Sequence, residues 1–291
     1  MKQLGRHLAS ALVLALFVAG FGTSQAMAQD DVAQRTEQLR EAWESAVQNY
    51  QNRSFADAYQ QFVRVAELGQ SLEDPTAQET AQRALQYLPR VAYAEGLTHL
   101  QGERYNEAIQ AFDKGLAQDD TYLNNMLGKG QAYNRMGRSD DALAIFAEAL
   151  EKASAANDRD AIQRSSDAIR GYYQPRASEL LASAGETGNR TQARQVIELL
   201  EEMQEHVDAD ANTYYYLGAA NNVLGEYQRA VELLDQGIEL HTGSRTDAAR
   251  FHFEKGEALR LMGNVAQAKE AYQNAAYGSY RQPAEHFIET L

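Results

Sequence analysis

The chain has no cysteine, only four prolines and a single tryptophan in 291 residues. Without cysteine there is no disulfide framework and no thiol chemistry, so packing alone must hold the fold. With so little proline, long stretches rich in Ala, Leu, Glu, Gln and Arg run uninterrupted, and all-α is the class they predict. Positive charge is also short: 27 Lys and Arg stand against 41 Asp and Glu, a formal net charge of −14. That balance argues against nucleic acid or an anionic membrane surface as the main partner, because both would repel it.

The motifs of common enzymes are missing too. There is no His-Glu-x-x-His, no Gly-rich phosphate loop and no Gly-x-Ser-x-Gly. His252 and His286 are the pair one would imagine on a metal, but lone histidines on helices are more often surface or packed residues. Asp119-Asp120 and Glu201-Glu202 are adjacent acids at helix ends or on exposed faces, with no pocket in view to desolvate them. No catalytic residue, no metal and no cofactor is expected.

Long apolar runs are confined to the start. Lys2 and Arg6 precede an apolar stretch over residues 8–22, and Ala26-Met27-Ala28 supplies small residues at a cleavage position. Residues 1–28 therefore read as a secretory signal peptide cut between Ala28 and Gln29, since a membrane anchor needs about 20 apolar residues. The mature chain, at −16 after losing Lys2 and Arg6, is expected in the periplasm or beyond, without an integral membrane segment.

What is present is a repeat. Gly96, Ala108, Phe112 and Leu116 recur as Gly130, Ala142, Phe146 and Leu150, each shifted by 34 residues. Each copy has the spacing of two short amphipathic helices. A small residue at the crossing lets the axes approach, and a bulky residue four after the Ala fills the groove. No single copy buries that face alone, so neighbours must stack. Looser copies surround the clear pair, giving repeats near 38–69, 89–121, 122–156, 174–207, 211–242 and 249–280, with a capping helix over 282–291. In the last four, Gly137, Gly188, Gly225 and Gly263 each precede the repeat Ala by five residues, and Gly102 is expected to turn the second.

Two intervals are long. Ala58 to Ala108 is 50 residues and Ala142 to Ala193 is 51, so about one helix is inserted at each place. Asp74-Pro75 opens the first insertion as N-cap and first helical residue. Pro89 and Pro175 close the two insertions, each either kinking a long helix or separating two.

The repeat resembles the tetratricopeptide repeat, a helix-turn-helix module that stacks into a right-handed superhelical solenoid. The resemblance implies about six repeats with two inserted helical segments. It also implies a concave groove lined by the first helix of each repeat, at positions six before, three before, one after and four after the helix Gly. Those positions read Arg90, Tyr93, Leu97 and Leu100 in the second repeat, and Asn124, Leu127, Gln131 and Asn134 in the third. In the fifth they read Asn212, Tyr215, Ala219 and Asn222, and in the sixth Arg250, Phe253, Glu257 and Arg260. Aromatic anchors among amide and guanidinium groups suit a peptide whose backbone is hydrogen-bonded. The family's clamp for a chaperone carboxylate needs Lys three before the Gly and Asn one after, and no repeat here has that pair. Of the consecutive Tyr214, Tyr215 and Tyr216, at least one must be exposed or at an interface, because three successive helical residues cannot face one core.

The expected role is a non-catalytic protein-protein interaction scaffold of the cell envelope, holding a protein or peptide segment in the groove, with self-association open. The alternative is a capture protein for a small ligand or peptide, working with a transporter. A cell-wall enzyme is the third reading, and no catalytic residue supports it.

Overall fold

The computed structural model describes residues 23–291, with side chains from residue 29. The expected signal peptide lies outside the described residues apart from the backbone of 23–28, which belongs to the first helix. The described chain is helical throughout and divides into two compact units, one through Ile162 and one from Gln163. No described helix is long and apolar enough to cross a membrane.

The first unit holds α1 (Thr23–Gln51), α2 (Phe55–Gln70), α3 (Pro75–Gln101), α4 (Tyr105–Leu116), α5 (Leu123–Arg135) and α6 (Ser139–Ala156). Successive helices pack on one another, so that α1–α2, α3–α4 and α5–α6 are the hairpins of the first three repeats. The division between units falls in the first turn of α7 (Arg159–Thr187). Then come α8 (Arg190–Gln204), α9 (Ala211–Leu224), α10 (Tyr227–Leu240), α11 (Arg245–Leu261), α12 (Val265–Ala275) and α13 (Arg281–Thr290). The all-α repeat of helix hairpins implied by the resemblance is what these residues form.

The small-and-large code has a direct cause. The space a Cβ would take on Gly96 is filled by the ring of Phe112, and that on Gly130 by Phe146. In the second unit a Cβ on Gly218 would stand 2.6 Å from Leu234, and one on Gly256 would stand 2.7 Å from Tyr272. The bulky residue four after the repeat Ala thus lies on the bare backbone of the partner helix. Phe112 also fills the space over Gly128 of the next hairpin, so one buried ring joins two repeats.

Every hairpin turns through a left-handed residue five before its Ala. Gly137, Gly188, Gly225 and Gly263 have φ of 75°, 64°, 79° and 80°. In the first two repeats the same place is held by Arg53 at 63° and Glu103 at 57°. Gly102, expected to make the second turn, has φ of −87° and only precedes the residue that does. A side chain in this region costs about 1–2 kcal/mol, partly offset by the entropy a glycine loses on folding. Arg53→Gly and Glu103→Gly are therefore each expected to stabilise the protein by about 0.5–1 kcal/mol in denaturant melts.

The two inserted segments are not separate helices. Residues 75–88 are the first half of α3, and the corresponding segment after Asp158 is the first half of α7, with Pro89 and Pro175 inside continuous helices. Asp74 caps α3 as expected, its side chain accepting from the Ala77 N–H at 2.8 Å. Beside buried Pro89, the side chain of Asn125 donates to the Pro89 carbonyl at 3.0 Å, in space that Gly115 leaves by having no Cβ. That bond comes from the next hairpin and ties α5 to α3 at the proline. At the other end α13 closes the sixth repeat, Phe287 stacking on Tyr272 at 4.9 Å.

Candidate functional site

The first helices of the repeats, α3, α5, α9 and α11, carry the residues expected to line a groove. In the first unit the position three before the Gly is spent on packing. Tyr93 is half-buried with its ring 6.0 Å from Phe112 and 6.2 Å, edge-on, from Tyr122 at the start of α5. Leu97 and Leu100 pack against the core of Ala108, Phe112 and Ala132, and Leu127 against that of Leu123, Met126 and Ala149. Asn124 is half-buried, whereas Gln131 and Asn134 are exposed, the Asn134 side-chain oxygen accepting from the Ser139 hydroxyl at 3.4 Å.

The second unit turns the same positions into a polar network between α9 and α11. Arg250 donates to the Asn212 side chain while its guanidinium lies 4.6 Å over the Tyr215 ring. Tyr215 packs on Phe251 at 5.3 Å and on Tyr216 at 5.4 Å. Burial, and then the nearby Glu254 carboxyl, push its phenol far above the ordinary tyrosine range, so it stays protonated. The Asn222 amide donates to both the backbone oxygen and the carboxylate of Glu254, each at 2.9 Å. Ala219, one after Gly218, is buried.

Further along α11, Phe253 meets Tyr272 at 5.6 Å, Tyr280 at 5.2 Å and Phe287 at 6.2 Å. Glu257 accepts from the Tyr272 hydroxyl and from Arg260, the latter at 2.7 Å, and Arg260 lies 5.0 Å over Phe287. The structure thus brings Asn212, Tyr215, Asn222 and Arg250 together, and Phe253, Glu257 and Arg260 together. It does so by engaging them with one another and with the capping helix, while the Asn222 side-chain oxygen and the Arg250 Nε stay buried without a hydrogen-bond partner among the described residues. Tyr216 and Tyr214 lie to either side of Tyr215, and Tyr214 lines a cleft of about 520 Å³ with Glu201, Asn221 and Arg229.

Glu254, which no groove position predicts, is a buried carboxyl within this network. Burial raises its pKa from the ordinary 4.5, Asn222 opposes the rise and Glu257 adds to it. A carboxyl raised in the folded state is neutral in both states at low pH. Its penalty grows as pH climbs from the unfolded value through the folded one and is complete above it. Glu254→Gln keeps an acceptor for Asn222 and removes the charge. It is expected to raise the melting temperature at neutral pH by about 2–4 °C, a gain that vanishes below about pH 4.5.

Among the described residues no group of three His, Asp or Glu side chains is placed to hold a metal ion. His252 lines a second cleft, of about 480 Å³, beside Lys255 and Asp235, and burial lowers its pKa. His286 sits on α13 with its ring 5.6 Å from Phe287.

No family model matches the chain, and no curated protein matches it. Among solved structures, MamA (residue 41 to the end) from Desulfovibrio magneticus RS-1 is similar at 16% identity, covering 64% of this chain and 92% of its own, with a TM-score of 0.37. The C-terminal part of a TPR repeat-containing protein from Cytophaga hutchinsonii is 15% identical, covers 79% of this chain and 76% of its own, and scores 0.38. The TPR2AB-domain:pHSP90 complex of yeast Sti1 is 15% identical, covers 87% and 98%, and scores 0.32. At such scores none of them carries an argument here, and the helix-hairpin repeat stands on the packing described above.

Proposed function

We propose that the chain is a non-catalytic interaction scaffold of the bacterial cell envelope, exported by its first 28 residues, whose first-helix faces bind an extended segment of a partner protein. The observation that carries this reading is the division of labour on α3 and α5. Glycine, alanine and the larger apolar residues are consumed by packing, while Arg90, Gln131 and Asn134 stay exposed. A preformed face of this kind lowers the ordering cost on the scaffold side of binding.

Two measurements test it. Expressed in a Gram-negative host, the full-length chain is expected to give an envelope-fraction product whose N-terminus is Gln29; a product retaining residue 1 in the cytoplasm would refute export. For binding, a photocrosslinking side chain is placed at Gln131 or Asn134, and another at the exposed Glu107 on α4. The first two are expected to capture an envelope protein in the native host and the third to capture none. Capture only from Glu107 would move the interface to the second helices and overturn the assignment.

A further inference from the structure

The last two hairpins enclose a trough that the proposed groove does not use. α11 packs on both α10 and α12, while α10 and α12 scarcely touch, and the gap between them is the cleft of about 480 Å³ that holds His252. Gln228 to Ile238 on α10, His252 to Met262 on α11 and Asn264 to Asn274 on α12 each line it along about 15 Å, at the three- and four-residue spacing of a single helix face. Three helix faces of equal length leave a seat for a fourth, whose side-chain ridge would lie between α10 and α12.

The trough is apolar inside and at one end. Leu259 and Ala271 are buried in it, with Val231 and Ile238 half-buried beside them. At the hairpin tip Met262 is 37% exposed, and it also lines an adjoining cleft of about 430 Å³ with Tyr227. Leu261 and Val265 of the same turn are 48% and 42% exposed, so three of the five exposed large hydrophobic side chains among the described residues fall within one short stretch. A hairpin turn needs none of them, and exposed apolar side chains gathered in one place mark a contact surface.

The charge of the lining sets the kind of contact. Four carboxylates, on Glu226, Glu232, Asp235 and Glu270, stand against two cations, on Arg229 and Lys255. Both cations are already taken by α10: Arg229 meets Glu232 at 3.3 Å, and Lys255 meets Asp235 at 2.5 Å. Burial, and then Lys255, lower the pKa of His252, so its ring adds no positive charge at neutral pH. The lining is therefore net acidic and disfavours an acidic occupant. A second copy of this chain, at −14, fits it badly.

We infer that the trough between α10 and α12 docks an amphipathic helix of a partner protein, aliphatic along one stripe and carrying Lys or Arg on its flanks. The stripe covers Val231, Leu259 and Met262, and the flanks meet the acidic rim. This goes beyond the scaffold reading, because it gives the second unit an interface of its own.

The test uses the full chain and three fluorescein-labelled helical peptides about fourteen residues long. One has a leucine stripe flanked by lysines, the second has the same stripe flanked by glutamates, and the third keeps the lysines with alanine in place of leucine. Fluorescence anisotropy at low salt is expected to show the first binding about tenfold more tightly than either of the others, its advantage over the glutamate peptide shrinking in high salt. Met262→Lys and Asn274→Lys, at exposed positions toward opposite ends of the trough, should each weaken that binding about tenfold with helicity and melting unchanged. Gln131→Lys, in the first unit, should leave it as it was. No binding of any peptide, equal binding of the lysine and glutamate peptides, affinity that survives both trough substitutions, or an equal loss with Gln131→Lys overturns the inference. If Met262→Lys instead dissolves a self-associated form seen by sedimentation of the chain alone, the occupant is a second copy and the basic helix is wrong. Crosslinking from Gln131 and Asn134 is read in the other unit, so the scaffold reading stands or falls separately.

Discussion

Gly96→Val is expected to destabilise the protein by about 3 kcal/mol, the upper range for overfilling a packed core. The Cβ it adds falls within the ring of Phe112, which is itself fully buried against Gly128 on the next hairpin and has nowhere to retreat. The sign of the smaller change is the sharper test. Gly→Ala inside a helix ordinarily stabilises by about 0.5–1 kcal/mol, because alanine loses less backbone entropy. Gly171 on α7 is exposed with open space where its Cβ would go, so Gly171→Ala should show that gain. Gly96→Ala should lose stability instead, and pairing it with Phe112→Leu should recover part of the loss. Urea melts of the four proteins measure all of this; a Gly96→Ala protein as stable as Gly171→Ala would show that the ring is not held as described.

Tyr272→Ala is expected to cost about 3–5 kcal/mol, the usual range for deleting a buried aromatic side chain. Tyr272 is fully buried, lies on Gly256, stacks on Phe287 and meets Phe253, so its ring joins α11, α12 and α13. Truncation would leave Phe287 of the capping helix without its main neighbour. Tyr272→Phe keeps the ring and removes only the hydroxyl bonded to Glu257. Because Glu257 retains Arg260 at 2.7 Å, that change should cost about 1 kcal/mol. A ratio near one between the two substitutions, read in the same melts, would mean that the hydroxyl and not the ring holds the end of the chain.

Much of this packing is legible in the sequence because it is local and repeated. The spacing from Gly96 to Phe112 recurs from Gly130 to Phe146 and from Gly256 to Tyr272, and each pair meets. The turn glycines at 137, 188, 225 and 263 adopt the backbone their residue type suggests. Where a repeat substitutes a residue that merely tolerates the conformation, the pattern hides. Arg53 and Glu103 turn their hairpins as those glycines do, while the neighbouring Gly102 draws the eye. Pro89 shows another limit, since a residue that usually breaks helices lies inside the continuous α3. Asn125, 36 residues on, donates to the Pro89 carbonyl and ties the site to the next hairpin.

The proposed binding face was legible as a set of positions and less so as a set of free side chains. Tyr93, Tyr215 and Phe253 share one place in the repeat, and each is engaged from beyond its own hairpin, through Tyr122, Phe251 and Tyr280. Periodicity within one hairpin does not reveal that neighbour.

The constant distance from left-handed residue to repeat alanine bears on how the gene can change length. Exposed turns are normally where insertions and deletions are tolerated. Here one added residue between Gly225 and Ala230 would rotate the second helix by about 100° relative to the first, carrying Ala230 and Leu234 off the crossing. The tips of these hairpins are then among the least editable loops despite being solvent-facing. Epitope tags and reporter domains belong instead between hairpins, where the connection already varies, such as the stretch from His241 to Ser244 before α11.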